Sequence, residues 1–289
     1  MNTRMDIITD KRCEACFLKT YQRLYEKFDV EINQRQTFNN WLHKTFEEYQ
    51  HLSMPEIQRL LNYKFCEMLN IPDPFEEEKR RSNDTALTLY EEWKPRVLSA
   101  DNSFDLALRL SIAGNIMDYG ASNDFDIHTT IQLVLAAPFA IDDSAILKYK
   151  LCSAKRILYL ADNAGEIVFD KLFIETCLSG KQVFFAVKDA PVLNDATIKE
   201  AREVGIDKLV TVISNGFDAP STILSRCSKE FLEIYHSADL IISKGQGNYE
   251  GLMYENDPRI FFLLMAKCDV IAEKLNVTKG SFIVYHLNE

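Results

Sequence analysis

The chain has 289 residues, of which 47% are hydrophobic and 26% charged, and this composition indicates a folded globular protein rather than a disordered one. No apolar run is as long as a membrane span and the first eleven residues lack the apolar core of a signal peptide, so we expect a cytoplasmic protein with no membrane partner. The net charge of -10 argues against nucleic acid as a partner, because phosphate backbones attract basic surfaces.

The seven cysteines are an odd number scattered along the chain, which favours reduced thiols over a disulfide framework. Cys13 and Cys16 lie three residues apart near the start, on one face of a predicted helix. A zinc site or a redox site is possible in principle, but no second Cys or His pair completes a tetrahedral site. We expect small buried side chains, or an accessory metal or redox role, rather than catalysis.

The first half of the sequence is predicted to contain helices only. Apolar residues recur at spacings of three and four, as on one face of an amphipathic helix. Pro95 is expected to kink or interrupt the fourth helix, and the charged run before it is a solvated helix face. These helices make residues 1–150 an all-helical amino-terminal domain. The predicted helices cover residues 10–28, 38–49, 57–69, 76–98, 104–118 and 127–139.

Asn115 and Asp118 lie three residues apart amid apolar neighbours, on one face of the fifth predicted helix. Buried polar groups must be hydrogen-bonded, so the two side chains either satisfy local backbone or reach into a site. Taken alone, the pair favours the structural role.

In the second half, short apolar runs alternate with helical segments. This alternation predicts an α/β class with a Rossmann-like, mainly parallel sheet of about six strands and helices on both faces. The last strands are expected to pair antiparallel. Residues 151–289 form the predicted α/β metal-binding catalytic domain, with the helical part packed on the sheet. The predicted strands cover residues 157–161, 183–187, 209–213, 240–242, 260–264 and 282–285.

The first of these strands ends in a turn with two oxygen-bearing side chains, Asp162 and Asn163. Ligands of open α/β sheets bind at the carboxyl ends of the strands, and carboxylate and amide oxygens suit a divalent cation such as Mg²⁺ or Mn²⁺. The alternative is that one of the two side chains caps the next helix, with Glu166 favoured in its positive first turn. On this stretch alone both interpretations stay open.

The second strand ends in another acidic turn, in which Asp195 is the expected third ligand. If the strands at 157 and 183 are neighbours, Asp195 lies at the same sheet edge as Asp162 and Asn163. The alternative is again that Asp195 caps a helix. A third turn, Ser214-Asn-Gly216, has the glycine of a loop that bends closely around a neighbour, which alone is a weak signal.

The strand at 240–242 is followed by Lys244 and then by glycines at 245 and 247. Glycines let backbone amides approach an anion closely, and the lysine adds a positive charge, so this turn is a candidate phosphate cradle. It matches neither a Walker A motif nor a dinucleotide-binding fingerprint. A simple glycine turn is the alternative.

Five motifs together carry a resemblance to a known family. In chain order they are Gly114-Asn-Ile-Met-Asp118, Asp162-Asn-Ala-Gly-Glu166, Asn194-Asp-Ala-Thr197, Ser214-Asn-Gly216 and Lys244-Gly-Gln-Gly-Asn-Tyr-Glu250. Their order and spacing resemble those of the damage-control phosphatase family, formerly a domain of unknown function, which includes acidic-residue methyltransferase-like proteins. The resemblance spans nearly the whole chain. The Cys13 and Cys16 pair is similar to that of the bacterial and archaeal branch.

The resemblance implies a divalent-metal-dependent phosphatase of small phosphorylated metabolites, such as sugar phosphates or damaged phosphometabolites, with Mg²⁺, Mn²⁺, Co²⁺ or Ni²⁺ as cofactor. Carried over by motif, the metal ligands are Asp162, Asn163 and Asp195, and the catalytic residues are Asp162, Glu166 and Lys244. The residues expected to contact substrate are Asn115, Asp118, Asn194, Gly245, Gln246, Gly247, Asn248, Tyr249 and Glu250.

The expected mechanism is attack by a metal-activated water on the phosphoryl group, with Lys244 holding phosphate oxygens. Glu166 would orient that water or order the metal ligands. An aspartyl-phosphate on Asp162 is disfavoured because Ala164 stands where that chemistry has a second Asp. Two alternatives remain: a carboxyl methyltransferase using S-adenosylmethionine, and a non-enzymatic metal-binding or ligand-binding protein.

Overall fold

The computed structural model describes residues 10–114 and 127–287, and the chain divides into two compact units after Pro74. The first unit has three helices whose facing aromatic rings form its core. The ring of Tyr21 lies 4.6 Å from that of Phe38 and 5.3 Å from that of Phe65, centroid to centroid. The helices are α1 (Lys11–Lys27), α2 (Ile32–Glu48) and α3 (Met54–Leu69).

The second unit holds every strand of the sheet together with the remaining helices. Its helices are α4 (Glu76–Leu98), α5 (Ser103–Ala113), α6 (Ile127–Ala136), α7 (Ser144–Ser153), α8 (Glu166–Cys177), α9 (Ile198–Glu203), α10 (Lys229–Ser237), α11 (Gly245–Leu252) and α12 (Asp269–Leu275). Its strands are β1 (Ile141–Asp142), β2 (Arg156–Leu160), β3 (Gln182–Val187), β4 (Thr211–Ser214), β5 (Leu240–Lys244), β6 (Ile260–Met265) and β7 (Phe282–His286).

The sheet has seven strands in the order β1-β7-β6-β5-β2-β3-β4, and only the β6–β7 pair is antiparallel. The predicted α/β class, the mainly parallel sheet and the antiparallel final pair are confirmed. The additional strand, β1, lies in the half predicted to be helical throughout. It has two residues, too few for a periodic pattern, and it forms by pairing with β7.

The chain reverses its direction of travel across the sheet beside β2. From β2 it proceeds to β3 and β4 on one side, then returns to β5 and β6 on the other. Strands β2 and β5 are adjacent and parallel, with Leu160 opposite Ser243. The crevice beyond their carboxyl ends is therefore a topological switch point, the usual ligand-binding position of such sheets.

Apolar side chains on both faces of the sheet are buried, which explains the nearly continuous hydrophobic runs of its strands. Ile157 and Tyr159 belong to one core, with residues of α4, α5 and α8. Leu158 and Leu160 belong to the opposite core, with residues of α10, α11 and α12. Successive residues of β2 thus alternate between two helical layers, as the predicted placement of helices on both faces requires.

The helices from α4 onward are part of the sheet-containing unit, and α4 and α5 both pack on α8. The compact division after Pro74 differs in position from the predicted boundary at residue 150. The assignment of separate helical and catalytic domains to the two sides of residue 150 stays a prediction. Pro95 lies inside α4, which continues to Leu98. Asn115 and Asp118 lie outside the described residues. Within residues 10–114 and 127–287, no helix has both the length and the apolar character to cross a membrane.

Candidate active site

The two predicted acidic turns meet at the carboxyl edge of the sheet. The backbone N–H of Ala196 donates to the carbonyl of Asp162, and that of Ala164 donates to the carbonyl of Asn194, both at 2.9 Å. These bonds form an isolated antiparallel bridge between Asn163 and Asp195. The turns can pair because β2 and β3 are adjacent, parallel strands that end side by side. The structure thus brings all three predicted metal ligands together.

The alternative interpretation of these acidic residues as helix caps is wrong. Helix α8 begins after Gly165, which has φ +79° and forms no side-chain cap. Helix α9 is capped by Thr197, in a capping box with Glu200. Asp162, Asn163 and Asp195 are buried and face the same crevice edge without serving as caps.

The Asp195 turn contains a strained residue, Leu193, with φ +48°. A branched side chain in the left-handed region costs about 1–3 kcal/mol and persists only where the surrounding structure imposes it. Here the N–H of Asp195 donates to the carbonyl of Val192 at 3.1 Å, which closes the turn just before the bridge to β2. Such strain is typical of functional sites.

The Asn163 amide lies between two carboxylates. Its Nδ2 donates to Oδ2 of Asp162 at 2.9 Å and to Oε2 of Glu166 at 3.4 Å. The turn itself is held from outside the sheet, because Oδ1 of Asn83 on α4 accepts a 2.7 Å hydrogen bond from the N–H of Gly165. Asn83 was not foreseen, since an Asn within a charged helix carries no site signal.

Lys244 is completely buried and its ammonium has three protein acceptors. Nζ donates to Oε1 of Glu166 and Oδ1 of Asp170, each at 2.6 Å, and to the carbonyl of Ser111 at 2.8 Å. An ammonium has three N–H groups, so these acceptors use all of them. Lys244 thus holds Glu166 and Asp170, a different place from the contact with substrate phosphate that its motif predicts.

The pKa values of Lys244 and Asp170 both lie above their usual values, but for different reasons. Burial lowers the pKa of Lys244, but the charges of Asp170 and Glu166 outweigh burial, so the pKa of the ammonium lies above its usual value. Burial raises the pKa of Asp170 to about 6, against the opposing charge of Lys244. Tyr159 adds a 2.7 Å hydrogen bond from its hydroxyl to Oδ1 of Asp170. The ion pair is therefore enclosed in the protein interior.

The pKa of the Asp162 carboxyl is strongly raised by its surroundings. Burial raises the pKa of its carboxyl well above the usual range, and the charges of Glu166 and Asp195 raise it further. The charges of Lys267 and Lys188 oppose this effect. A cation bound beside Asp162 would favour its ionised form for the same reason.

The buried groups of the site carry an excess of negative charge. When all are ionised, four buried carboxylates exceed two buried ammonium groups by two negative charges, and the half-buried Lys267 opposes part of this excess through its charge on Asp162. This excess, with one amide oxygen among hard oxygen donors, fits a divalent cation of the Mg²⁺ or Mn²⁺ type. The carboxylates are those of Asp162, Glu166, Asp170 and Asp195, and the ammonium groups are those of Lys188 and Lys244.

Lys188, at the end of β3, is a site residue that the sequence analysis missed. Its Nζ lies 3.6 Å from Oδ1 of Asp195 and donates to Oδ1 of Asn248 at 3.0 Å. Its position as the residue directly after a buried strand was the available signal. Lys267, the second residue after β6, was also missed, and it is half-buried rather than buried.

The glycine-rich stretch after Lys244 forms helix α11 rather than a loop. Gly245 has φ +79°, and a Cβ there would overlap the carboxylate of Asp162. Gly247 and Gly251 lie against the backbone of residues 220–222, where a Cβ would also collide. The first glycine thus lets α11 approach Asp162, whereas the other two let a neighbouring segment pack on the helix.

Asn248 and Tyr249, both predicted to contact substrate, have protein partners. Asn248 is completely buried, and its Nδ2 donates to the carbonyls of Ala161 at 3.0 Å and Lys244 at 2.8 Å. Its Oδ1 accepts from Lys188 and from Thr222. Tyr249 belongs to a hydrophobic core. Both residues thus take part in the packing of α11, and their contact with substrate stays a prediction.

The remaining predicted substrate residues lie at the edge of the same helix and at the acidic turn. Nε2 of Gln246 donates to Oε1 of Glu250 at 2.8 Å, and Oε1 of Gln246 accepts from the N–H of Lys267. Burial raises the pKa of Glu250 to about 7. Asn194 is half-buried beside Asp195. Gln246 thus ties the start of α11 to the segment after β6.

The third predicted turn bends around the start of α10. A Cβ on Gly216 would overlap Ser228, and the N–H of Ser228 donates to the carbonyl of Asn215 at 3.0 Å. Asn215 is buried and its Oδ1 accepts from the N–H of Phe217 at 2.9 Å. The turn therefore packs closely against the residue that precedes α10.

Cysteine and histidine play no visible part in this centre. Among the described residues, no group of three or more His, Cys, Asp or Glu side chains is arranged to hold a metal ion, so the candidate set depends on the amide of Asn163. Cys13 and Cys16 lie on α1, half-buried and exposed respectively, and form no disulfide. Their accessory role stays a prediction.

A Rossmann-like sheet with a buried acidic centre at its switch point is the arrangement of α/β proteins that bind a ligand at the carboxyl ends of their strands. Comparison with known proteins specifies the class. Residues 9–283 match the damage-control phosphatase ARMT1-like domain, and the chain belongs to this family. The predicted family is thereby confirmed, and with it a phosphatase, an enzyme that acts on phosphorylated small molecules.

Two relatives and one solved structure match most of the length of this chain. Damage-control phosphatase PH1575 of Pyrococcus horikoshii is 36% identical over 276 residues, covering 94% of this chain and 95% of the relative. A damage-control phosphatase of Archaeoglobus fulgidus is 32% identical, covering 77% of this chain and 79% of its own. The crystal structure of the Pyrococcus horikoshii DUF89 family protein superposes with a TM-score of 0.88 at 33% identity, covering 97% and 99% of the two chains.

Proposed function

We propose that Asp162, Asn163 and Asp195 hold one divalent cation, Mg²⁺, Mn²⁺, Co²⁺ or Ni²⁺, and that the enzyme hydrolyses small phosphorylated metabolites such as sugar phosphates or damaged phosphometabolites. The observation that carries the proposal is the backbone bridge between Asn163 and Asp195. It joins oxygen donors from two strand ends at the switch point of the sheet, where open α/β proteins bind ligands.

When bound, the cation supplies charge neutralisation at the phosphoryl group and an acidified water. The Asp162 carboxylate lies close to the start of α11 because Gly245 has no side chain and leaves room for it. Nζ of Lys188 lies 3.6 Å from Oδ1 of Asp195 and places a positive charge beside that turn. The residues of the chain thus place two carboxylates close together in a buried crevice, where a bound cation would favour the ionised form of both.

Lys267 is the cation that we propose for the substrate phosphate. It is half-buried, its charge acts on Asp162, and Gln246 fixes its backbone beside α11. The three N–H groups of Lys244 are all used by protein acceptors, so Lys244 is not proposed for this contact. In the proposed reaction a water oxygen bonds to phosphorus, the ester P–O bond breaks, and a proton passes to the alcohol that leaves.

The test is a phosphatase screen over sugar phosphates and other phosphometabolites with each of the four metals, comparing wild type with Asp162→Asn and Asp195→Asn. Both variants keep the side-chain shape and remove one charge. We expect each to lose at least about 100-fold in kcat/KM, as removal of a catalytic electrostatic contact does. Asp207→Asn is the matched control because Asp207 is exposed in a short helical turn away from the crevice.

Phosphate release that needs no metal, or that both variants retain, would contradict the proposal. Binding of S-adenosylmethionine together with absence of metal-stimulated phosphate release would favour the methyltransferase alternative. Metabolite and metal binding that survive Asp162→Asn, again with no turnover, would favour the non-enzymatic alternative.

A further inference from the structure

The orientation of the Asn163 amide is determined by its neighbours. Its Nδ2 faces Oδ2 of Asp162 at 2.9 Å and Oε2 of Glu166 at 3.4 Å. In the structure both carboxylate oxygens accept from the NH₂ side of the amide. The amide is planar, and its oxygen therefore points away from the two carboxylates. In this orientation Asn163 can offer its oxygen to a cation.

Glu166 is itself held rigidly. Its Oε1 accepts from Nζ of Lys244 at 2.6 Å, and Lys244 is fixed by Asp170 at 2.6 Å. The hydroxyl of Tyr159 donates to the same oxygen of Asp170 at 2.7 Å. Glu166, Asp170 and Lys244 are at most 1% exposed. Each oxygen of Glu166 thus faces a nitrogen donor, one from the lysine and one from the amide.

We propose that Glu166 is a positioning residue that sets the Asn163 amide with its oxygen toward the cation, and that Lys244 and Asp170 hold Glu166 in place for this purpose. The inference rests on the proposed function, because it requires Asn163 to be a metal ligand. It assigns Lys244 and Asp170 a task in metal binding through Glu166, which the motifs did not indicate.

A glutamine at position 166 separates this role from a water-orienting one. Glutamine has nearly the same shape, but it has one acceptor oxygen and one NH₂ group. Lys244 requires the oxygen, so the NH₂ group must face Asn163. The Asn163 amide then has to turn its own oxygen toward Gln and withdraw it from the cation. In Glu166→Gln the Mn²⁺ dissociation constant is expected to rise about 10–100-fold, the usual effect of losing a group that orients a metal ligand.

Removal of Lys244 together with its partner Asp170 should restore the Mn²⁺ affinity that Glu166→Gln loses. In Glu166→Gln/Lys244→Met/Asp170→Asn the network has no charge, and the glutamine oxygen is free to face Asn163 again. The triple variant is therefore expected to bind Mn²⁺ as tightly as its matched control, Lys244→Met/Asp170→Asn with Glu166 retained. A structural role of Glu166 alone would make the triple variant the worst binder of the series.

The experiment measures free Mn²⁺ by electron paramagnetic resonance during titration of the full-length variants, with thermal unfolding as a check of folding. Weaker binding in Glu166→Gln and its recovery in the triple variant support the inference. Unchanged Mn²⁺ affinity in Glu166→Gln together with a lower kcat overturns it in favour of the water-orienting role. If the triple variant does not fold, the single variant alone decides.

Asp162→Asn and Asp195→Asn, measured in the same titration, separate this inference from the proposed function. If they retain full Mn²⁺ affinity, the proposed metal site is wrong and the inference fails with it. If they lose Mn²⁺ while Glu166→Gln retains it, only the inference fails.

Discussion

At the scale of single residues, Gly245 determines how closely α11 approaches Asp162. It combines φ +79° with a position where an added Cβ would overlap the Asp162 carboxylate, so Gly245→Ala meets two penalties. The left-handed backbone costs about 1–2 kcal/mol for a residue with a Cβ. The collision must also displace Asp162, so we expect loss of metal-dependent phosphatase activity. Activity assays and urea unfolding of the variant measure the two effects.

Gly180→Ala is the matched control for this prediction. Gly180 has φ +78°, almost the same as Gly245, but no heavy atom lies within 4 Å of an added Cβ. The control should therefore lose stability through the backbone alone and keep full activity. Equal activity of the two variants would mean that the close approach of α11 to Asp162 does not matter for function.

The meeting of the two acidic turns was predictable, whereas the contacts that support them were not. Asp162 and Asp195 each follow a recognisable strand, and neighbouring parallel strands must end at the same sheet edge. The partners of Lys244 arise from tertiary packing: Ser111 is separated from it by 133 positions and Glu166 by 78. Sequence periodicity has no information on which buried lysine meets which carboxylate, so it could not predict the contacts of Lys244 with Glu166 and Asp170.

At the scale of elements, a buried ion pair joins α4 to α9, just after the Asp195 turn. Nζ of Lys79 lies 3.0 Å from Oε1 of Glu200, and both side chains are at most 3% exposed. Lys79→Met should lower the free energy of unfolding by about 3–5 kcal/mol, because it leaves a carboxylate buried without its counter-charge. Thermal or urea unfolding measures the loss.

The exposed pair Arg80 and Asp84 on the same helix provides the control. Its separation is also 3.0 Å, but the side chains are 58% and 62% exposed. Arg80→Met should change stability little, because water screens the pair. Similar losses in Lys79→Met and Arg80→Met would contradict the importance of burial.

The same pair predicts a pH dependence. Burial raises the pKa of Glu200, but hydrogen bonds from Thr197 and the charge of Lys79 outweigh burial, so the pKa lies below its usual value. A lowered folded-state pKa means that the stabilisation is complete above the unfolded pKa of about 4.3 and is lost as pH falls through the folded value. The stability difference between wild type and Lys79→Met should therefore shrink on acidification below that pKa.

Helix α11 shows why an element can differ from its sequence signal. Glycine is a poor helix former, so Gly-Gln-Gly predicts a loop. In the structure, burial of Tyr249 and Leu252 and the four hydrogen bonds of Asn248 stabilise the helix. The glycines then serve contacts with Asp162 and residues 220–222. Such contacts join segments distant in sequence, and local propensity cannot anticipate them.

At the scale of the whole molecule, the fold concentrates uncompensated negative charge where its sheet reverses direction. The apolar strands of the sheet and the two helical layers bury four carboxylates at this point with only two buried ammonium groups. Burial of unbalanced charge opposes folding, so the metal-free protein should be less stable than its cores alone would make it. A bound cation would neutralise part of this charge, and because it binds only the folded state, metal affinity is linked to the free energy of unfolding.

This link predicts that Asp162→Asn changes stability in opposite directions with and without metal. In a chelator the variant removes one buried charge and keeps the shape, so its free energy of unfolding should exceed that of wild type by about 1–2 kcal/mol. With Mn²⁺ at 100 times its dissociation constant, wild type should gain about 2.7 kcal/mol and the variant far less, so the order reverses. Urea unfolding in EDTA and in Mn²⁺ measures both differences, with Asp207→Asn as the control that should follow wild type in each. A variant less stable than wild type in EDTA would show that the Asp162 carboxylate is already fully compensated by the protein, and the electrostatic argument for a cation there would then be wrong.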